Sequence, residues 1–254
     1  MTPILYDPTF YLAAIPAVIL IGLAKGGLGG AMALVGVPLM ALVVPPVQAA
    51  AILLPILIVM DIVSLWAWWG IFDRRLLAVM LPGAMIGILV GWLTAAFVTE
   101  AHVRLIVGVI TLLFFLRWLL DKVRRDERVA EHNWLKGTFW GSISGFTSFV
   151  AHAGGPPYQV YALPLRHDPK LFVGTSVIFF AVVNTVKLVP YFALGQFDAT
   201  NLTASLILVP LAPLATLAGA WVVRRMRADI FYPMMYIMIF FISLKLIHDG
   251  LGGL

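Results

Sequence analysis

Long apolar segments, separated by short polar loops, follow one another along the whole chain. Most have about 17–25 residues, which is the length that an α-helix needs to cross a bilayer. Residues 31–44 and 151–165 form shorter segments, and these are predicted as either short crossings or re-entrant half-helices. The ten apolar segments are residues 10–24, 31–44, 49–69, 76–98, 103–120, 134–150, 151–165, 171–194, 202–223 and 230–247.

The composition agrees with a membrane protein. Of the 254 residues 62% are hydrophobic and 11% are charged, and the mean hydropathy is +1.01. Soluble domains have about 25% charged residues, so we predict an all-α polytopic membrane protein. The net charge of +5 would suit nucleic acid, but the basic residues flank apolar segments and form no separate basic domain, so nucleic acid is excluded as a partner. Cysteine is absent, which excludes disulfides and cysteine-based sites.

The distribution of Lys and Arg predicts a topology. If the N-terminus lies outside and all ten segments cross, nearly all basic loop residues fall on the inner side, as the positive-inside rule requires. An arrangement with fewer crossings and two re-entrant pairs stays open. The start of the chain, residues 1–7, carries no basic residue, so the first segment is interpreted as a retained helix rather than a signal peptide.

The two halves of the chain resemble each other. Gly29-Gly30 matches Gly154-Gly155, and the Gly-x-Phe-Asp run that ends at Asp73 matches the one that ends at Asp198. Five segments in each half would give the halves opposite topology, as in secondary transporters built from inverted repeats. We therefore predict a first membrane repeat at residues 1–121, a cytoplasmic linker at residues 122–133 and a second membrane repeat at residues 134–254.

Both glycine-rich stretches interrupt apolar segments, which predicts broken helices. The first turn of a new helix offers unpaired backbone N–H groups and a partial positive charge, and together these bind anions. Gly29, Gly30, Gly154 and Gly155 are therefore candidate substrate-binding residues. Glycines that serve only close helix packing are the alternative.

Lys187 lies near the middle of an apolar segment, where a charged side chain costs about 3 kcal/mol by insertion scales. A transported anion would offset that cost. Asn184, one turn earlier on the same helix face, can donate an amide N–H to an oxyanion. The alternatives are a snorkelling lysine and an interhelical hydrogen bond of the asparagine.

Three further polar residues are candidates. Asp61 and Lys187 are candidates for carrying a coupling proton, and the alternative for Asp61 is a structural pair with Lys25 or Lys187. Lys25, next to the first glycines, either lines the substrate site or anchors the inner side. His152 adjoins the second break and can titrate near neutrality; a satisfied polar residue is its alternative.

Other polar and aromatic residues are not assigned a function. Tryptophans near segment ends, among them Trp66, Trp68 and Trp69, are interpreted as interfacial anchors. The histidines show no metal-binding spacing, and no nucleophile motif occurs, so an enzyme, a metal site and a cofactor are not expected. The five histidines are His102, His132, His152, His167 and His248.

The chain resembles the sulfite exporter TauE/SafE family of bacterial permeases. The resemblance is carried by residues 24–30, 153–157 and 184–188, by the Gly-x-Phe-Asp pair, and by the two-half layout. It implies outward transport of a small sulfur-containing anion, such as sulfite or an organosulfonate, and a multi-pass protein of the bacterial inner membrane. His152 and Pro156-Pro157 depart from a purely glycine-rich second break, which leaves the substrate range of this member open.

The sequence thus predicts a secondary transporter with a midplane anion site that works by alternating access. An anion channel of the same architecture is the alternative. Protons are the candidate coupling ion. The exact anion, the coupling stoichiometry, the direction of net transport and the oligomeric state, a homodimer included, are left open.

Overall fold

A computed structural model of the chain describes residues 4–28, 36, 39–94, 97–124, 129–193 and 199–253, and all structural statements refer to these. Their regular structure is helical, so the predicted all-α class is confirmed. In chain order the helices are α1 (Pro8–Leu23), α2 (Pro46–Ala67), α3 (Arg74–Thr94), α4 (Glu100–Val123), α5 (Trp134–Ala151), α6 (Gly155–Ala162), α7 (Pro169–Ala193), α8 (Ala199–Leu208), α9 (Leu211–Arg224) and α10 (Ala228–Gly252).

Short polar residues start several of these helices. Asp7 accepts a hydrogen bond from the backbone N–H of Thr9 at 2.9 Å, with Pro8 at the first helical position. Asn133 likewise accepts from the N–H of Lys136 at 3.0 Å. Such caps satisfy N–H groups that have no partner within the helix, so the polar loops determine where the apolar helices begin.

Six helices among the described residues are long and apolar enough to cross a membrane. The number rises to seven if α8 and α9, bent by 47° relative to each other, form one broken span. Large apolar side chains stay exposed on these helices, for example Leu12, Leu93 and Phe241. A surface this apolar needs lipid to cover it, and the predicted multi-span membrane protein is confirmed. The ten-crossing topology stays a prediction.

The segment at residues 151–165 folds back along α5. The α6 helix alone, with 8 residues, is about 12 Å long and too short to cross a bilayer. The Tyr161 hydroxyl, however, accepts from the N–H of Asn133 at the start of α5, at 3.1 Å. The N–H of Ala130 donates to the Pro164 carbonyl at 2.9 Å. The partly unwound arm therefore runs back along the whole of α5, which has 18 residues.

The chain forms two compact units. Unit 1 consists of Met1–Ile71 with Ser176–Arg225, and unit 2 of Phe72–Thr175 with Met226–Leu254. Each unit thus combines pieces of both predicted repeats, whose division and inverted symmetry stay predictions.

Small residues let the helices approach closely within each unit. In unit 1, a Cβ added to Gly219 of α9 would lie 2.4 Å from the Leu23 carbonyl oxygen of α1. In unit 2, a Cβ on Gly145 of α5 would lie 2.1 Å from the Ala84 carbonyl oxygen of α3. Helix backbones that approach so closely that only a glycine fits between them are typical of membrane helix pairs.

Candidate functional site

The first glycine break lies in unit 1, directly after α1. The helix continues as a widened turn, Ala24–Leu28, in which Gly27 has φ 129°. Residues with a side chain rarely adopt that conformation. A Cβ on Gly26 would lie 2.2 Å from the Thr216 carbonyl oxygen of α9. Glycine is therefore required at two successive positions, for conformation at one and for close packing at the other. Gly29, Gly30 and residues 31–35, 37 and 38 lie outside the described residues.

Side chains of α2 satisfy the carbonyl groups that this break exposes. The Ser64 hydroxyl donates to the Lys25 carbonyl at 3.0 Å, and the Trp68 indole N–H donates to the Gly26 carbonyl at 3.1 Å. Trp68 is 2% exposed. Its interpretation as an interfacial anchor is therefore wrong, whereas Trp66 and Trp69 are exposed as expected. The missed signal was its position on the same helix face as Asp61 and Ser64.

A charged cluster lies beside the break. The Lys25 ammonium is 2.5 Å from Asp61 Oδ1, and the Asn184 amide donates to Asp61 Oδ2 at 2.6 Å. Asp61 and Asn184 are buried. Of the two alternatives for Lys25, the structure thus shows a lysine paired inside the protein rather than a solvated anchor. Asn184 does make an interhelical hydrogen bond, and Asp61 does pair with Lys25.

Lys187 interacts with the same charged cluster. It lies one turn after Asn184 on α7, is 1% exposed and interacts electrostatically with both Lys25 and Asp61. It therefore neither faces lipid nor snorkels. Within residues 8–28, 48–67 and 171–190 the charged side chains are Lys25, Asp61 and Lys187. With both lysines protonated, the cluster carries one excess positive charge inside three apolar helices.

The second break, in unit 2, is built differently. His152 ends α5 in the left-handed conformation, with φ 51°. The Ser144 hydroxyl donates to the Gly154 carbonyl at 2.7 Å, and the Thr147 hydroxyl lies 3.1 Å from the Ala153 carbonyl oxygen. Hydroxyl groups of the preceding helix thus satisfy the carbonyl groups of this break.

The helix that follows the second break offers fewer donors than a glycine-rich start suggests. Gly155 is its first residue, and Pro156 and Pro157 come next. Proline has no backbone N–H, so within the first turn only Gly155 and the preceding Gly154 bring one. Any anion site at this break therefore depends on these two glycines.

The structure brings together four of the predicted site residues in unit 1: Lys25, Asp61, Asn184 and Lys187. His152, Gly154 and Gly155 lie together in unit 2. A further cluster in unit 2 was not expected from the sequence: the Nε2 atoms of His132 and His167 lie 3.0 and 3.3 Å from Asp73 Oδ2. Local spacing offered no signal, because the three residues belong to three separate loops.

The comparison with protein families agrees with this architecture. The family model described as Sulfite exporter TauE/SafE matches residues 14–246, nearly the whole chain. The chain belongs to this family. TauE/SafE proteins are transporters, so membrane transport of the sulfite-exporter type is the function that membership implies. No curated protein and no solved structure matches the chain.

Proposed function

We propose that this TauE/SafE protein is a secondary transporter that exports a small sulfur-containing anion, such as sulfite or an organosulfonate, by alternating access. The supporting observation is the buried cluster of Lys25, Asp61, Asn184 and Lys187 beside a broken helix. A net positive charge inside apolar helices is costly. An anion that enters the cluster offsets this cost, and water or lipid tails do so less well.

Lys187 supplies the charge that the anion contacts. Its depth in the protein makes the interaction strong, because few water molecules screen it. Asn184 holds Asp61 with one amide N–H and has a second N–H for a sulfonate oxygen. Lys25 similarly donates one of its three N–H bonds to Asp61. Gly29, Gly30, Gly154, Gly155 and His152 stay candidate anion-binding residues on the sequence pattern alone.

Protons are the proposed coupling ion, with Lys187 and Asp61 as the carriers. If Lys187 loses its proton when the anion leaves, the lysine is neutral while the empty transporter returns to its inward-open state. Export should then depend on an imposed pH gradient. Export rates that depend neither on pH nor on the pH gradient would exclude proton coupling. They would leave the proposal of anion transport unchanged.

An anion channel with the same helices is the second candidate, because a positive cluster also suits a conduction path. The protein is proposed to reside in the bacterial inner membrane. Counterflow separates the two functions, since a carrier exchanges labelled and unlabelled anion across the membrane whereas a channel only dissipates a gradient.

The test uses the purified full chain in liposomes. Vesicles receive sulfite, thiosulfate, sulfate, sulfoacetate, isethionate or taurine, and efflux is measured against protein-free vesicles. We expect saturable efflux of at least one sulfur oxyanion or sulfonate, with counterflow. Current far above carrier rates without counterflow would favour the channel. Absence of flux for every anion in a folded preparation would overturn the proposal.

A further inference from the structure

Three loops of unit 2, each just before a helix, bring two imidazoles to one carboxylate. Asp73 directly precedes α3, His132 lies just before α5, and His167 lies just before α7. One ligand atom from each residue lies within 4.8 Å of the other two. The three side chains are only 14% to 15% exposed. These contacts are separate from the cluster of Lys25, Asp61, Asn184 and Lys187.

The backbone fixes the carboxylate. Asp73 Oδ1 accepts from the N–H groups of Arg75 at 2.7 Å and Leu76 at 3.1 Å. The N–H of Asp73 donates to the Thr175 hydroxyl at 2.8 Å. Helix capping thus occupies one carboxylate oxygen and turns Oδ2 toward the two histidines.

The loops that carry the histidines are fixed as well. The carbonyl of His167 accepts from the Tyr232 hydroxyl of α10. Next to His132, the N–H of Asn133 donates to the Tyr161 hydroxyl at 3.1 Å. These hydrogen bonds hold the backbone of the two loops in place before a metal arrives.

The distances suit a tetrahedral metal ion. Bonds of about 2.0–2.1 Å to nitrogen and oxygen place neighbouring ligand atoms about 3.3 Å apart. The two measured separations are 3.0 and 3.3 Å. Two imidazoles and a carboxylate are one of the ligand sets of zinc sites, and three protein ligands leave a fourth position open. We propose that Asp73, His132 and His167 bind a transition-metal dication of the Zn²⁺ type.

The state of the imidazoles supports this site. Among the described residues neither Nδ1 has a hydrogen-bond partner. Each Nδ1 can therefore carry the imidazole hydrogen, which leaves Nε2 open to a metal. A ring nitrogen without a hydrogen is the form that binds a metal. His132 also lines a cleft of about 910 Å³ in unit 2, which gives an ion a path to the ligands.

The experiment uses the purified full chain, freed of any affinity tag and stripped of metal by a chelator. Zn²⁺ is titrated in by calorimetry, and Co²⁺ is used as a spectroscopic probe. The test variants are Asp73→Asn, which can still cap α3, His132→Asn and His167→Asn. The matched control is His248→Asn, because His248 is exposed and lies away from the cluster.

We expect the native chain and His248→Asn to bind one Zn²⁺, with an apparent Tm raised by about 3 °C or more. Each test variant should lose at least about 10-fold in affinity. Co²⁺ should show the intense visible bands of four-coordination in the native chain, a readout that does not depend on variants folding. Absence of stoichiometric binding by the native chain, weak six-coordinate Co²⁺ bands, or unchanged affinity in all three folded variants would overturn the proposal.

Discussion

At both glycine breaks, side-chain donors bond to backbone carbonyl groups that the break leaves free, but these donors come from different parts of the chain. At the first break, the donors are Ser64 of α2 and Trp68, which directly follows α2; they bond to the carbonyl groups of Lys25 and Gly26. At the second, Ser144 and Thr147 of the preceding helix do so. Only the first break has a lysine paired with a buried carboxylate beside it among the described residues. We therefore propose that the first break recognises the charge of the anion and that the second contributes only backbone geometry.

The Asp61–Lys25 pair should give the largest effect. Asp61→Ala leaves a buried ammonium without its carboxylate, which typically costs about 3–5 kcal/mol. Chemical unfolding of the purified protein in detergent measures this loss. The double variant Lys25→Met/Asp61→Leu should recover much of it, because the Lys25 ammonium is removed together with its carboxylate and only Lys187 remains charged, so the net charge of the cluster is unchanged. A single-variant cost below about 1 kcal/mol, the range of exposed pairs, would show that the pair does not hold the first break together.

Close packing at the first break should give the next largest effect. In Gly26→Ala the new Cβ would meet the Thr216 carbonyl oxygen at 2.2 Å. Such overpacking costs about 1–3 kcal/mol, and thermal unfolding will measure it. Gly252→Ala is the matched control, since nothing lies within 4 Å of its added Cβ. Equal stability of the two variants would contradict the close contact between the turn Ala24–Leu28 and α9.

Asn184 should have a moderate effect on stability and a clear effect on substrate affinity. Asn184→Ala removes the amide that donates to Asp61 Oδ2 at 2.6 Å, at a cost of about 1–2 kcal/mol. It also removes the N–H proposed to contact the anion. Thr185→Ala, on the neighbouring position of α7, controls for helix effects. Unfolding and flux should be measured together, and native flux in Asn184→Ala would exclude Asn184 from the binding set.

The second break should respond least. Ser144→Ala leaves the Gly154 carbonyl without its hydroxyl donor, at a cost of about 1 kcal/mol, while substrate affinity stays unchanged. Ser142→Ala is the control on the same helix, because its hydroxyl bonds only to the carbonyl of Thr138 within α5. A strong loss of substrate affinity in Ser144→Ala at native stability would show that the second break, rather than the first, recognises the anion.

The apolar helices and the burial of Lys187 could be predicted from sequence, because membrane depth makes hydropathy and isolated charges informative. Which lysine pairs with Asp61 could not be decided. Asp61 lies on a different helix, and only packing determines which lysine its carboxylate meets.

Two features were missed in the sequence, each for a physical reason. Trp68 looks like its exposed neighbours Trp66 and Trp69 until the helix face of Asp61 is known. Asp73, His132 and His167 share no periodicity, since loops rather than one helix bring them together.

Equilibrium binding tests the central claim, that the buried cluster at the first break holds the transported anion. Calorimetry at fixed pH should compare the native chain, Lys187→Ala and Lys170→Ala with the anion that gives the highest flux. Lys170 is an exposed lysine at the start of the same helix. We expect native affinity for Lys170→Ala and a loss of at least about 30-fold, or about 2 kcal/mol, for Lys187→Ala. Native affinity in a folded Lys187→Ala protein would contradict it.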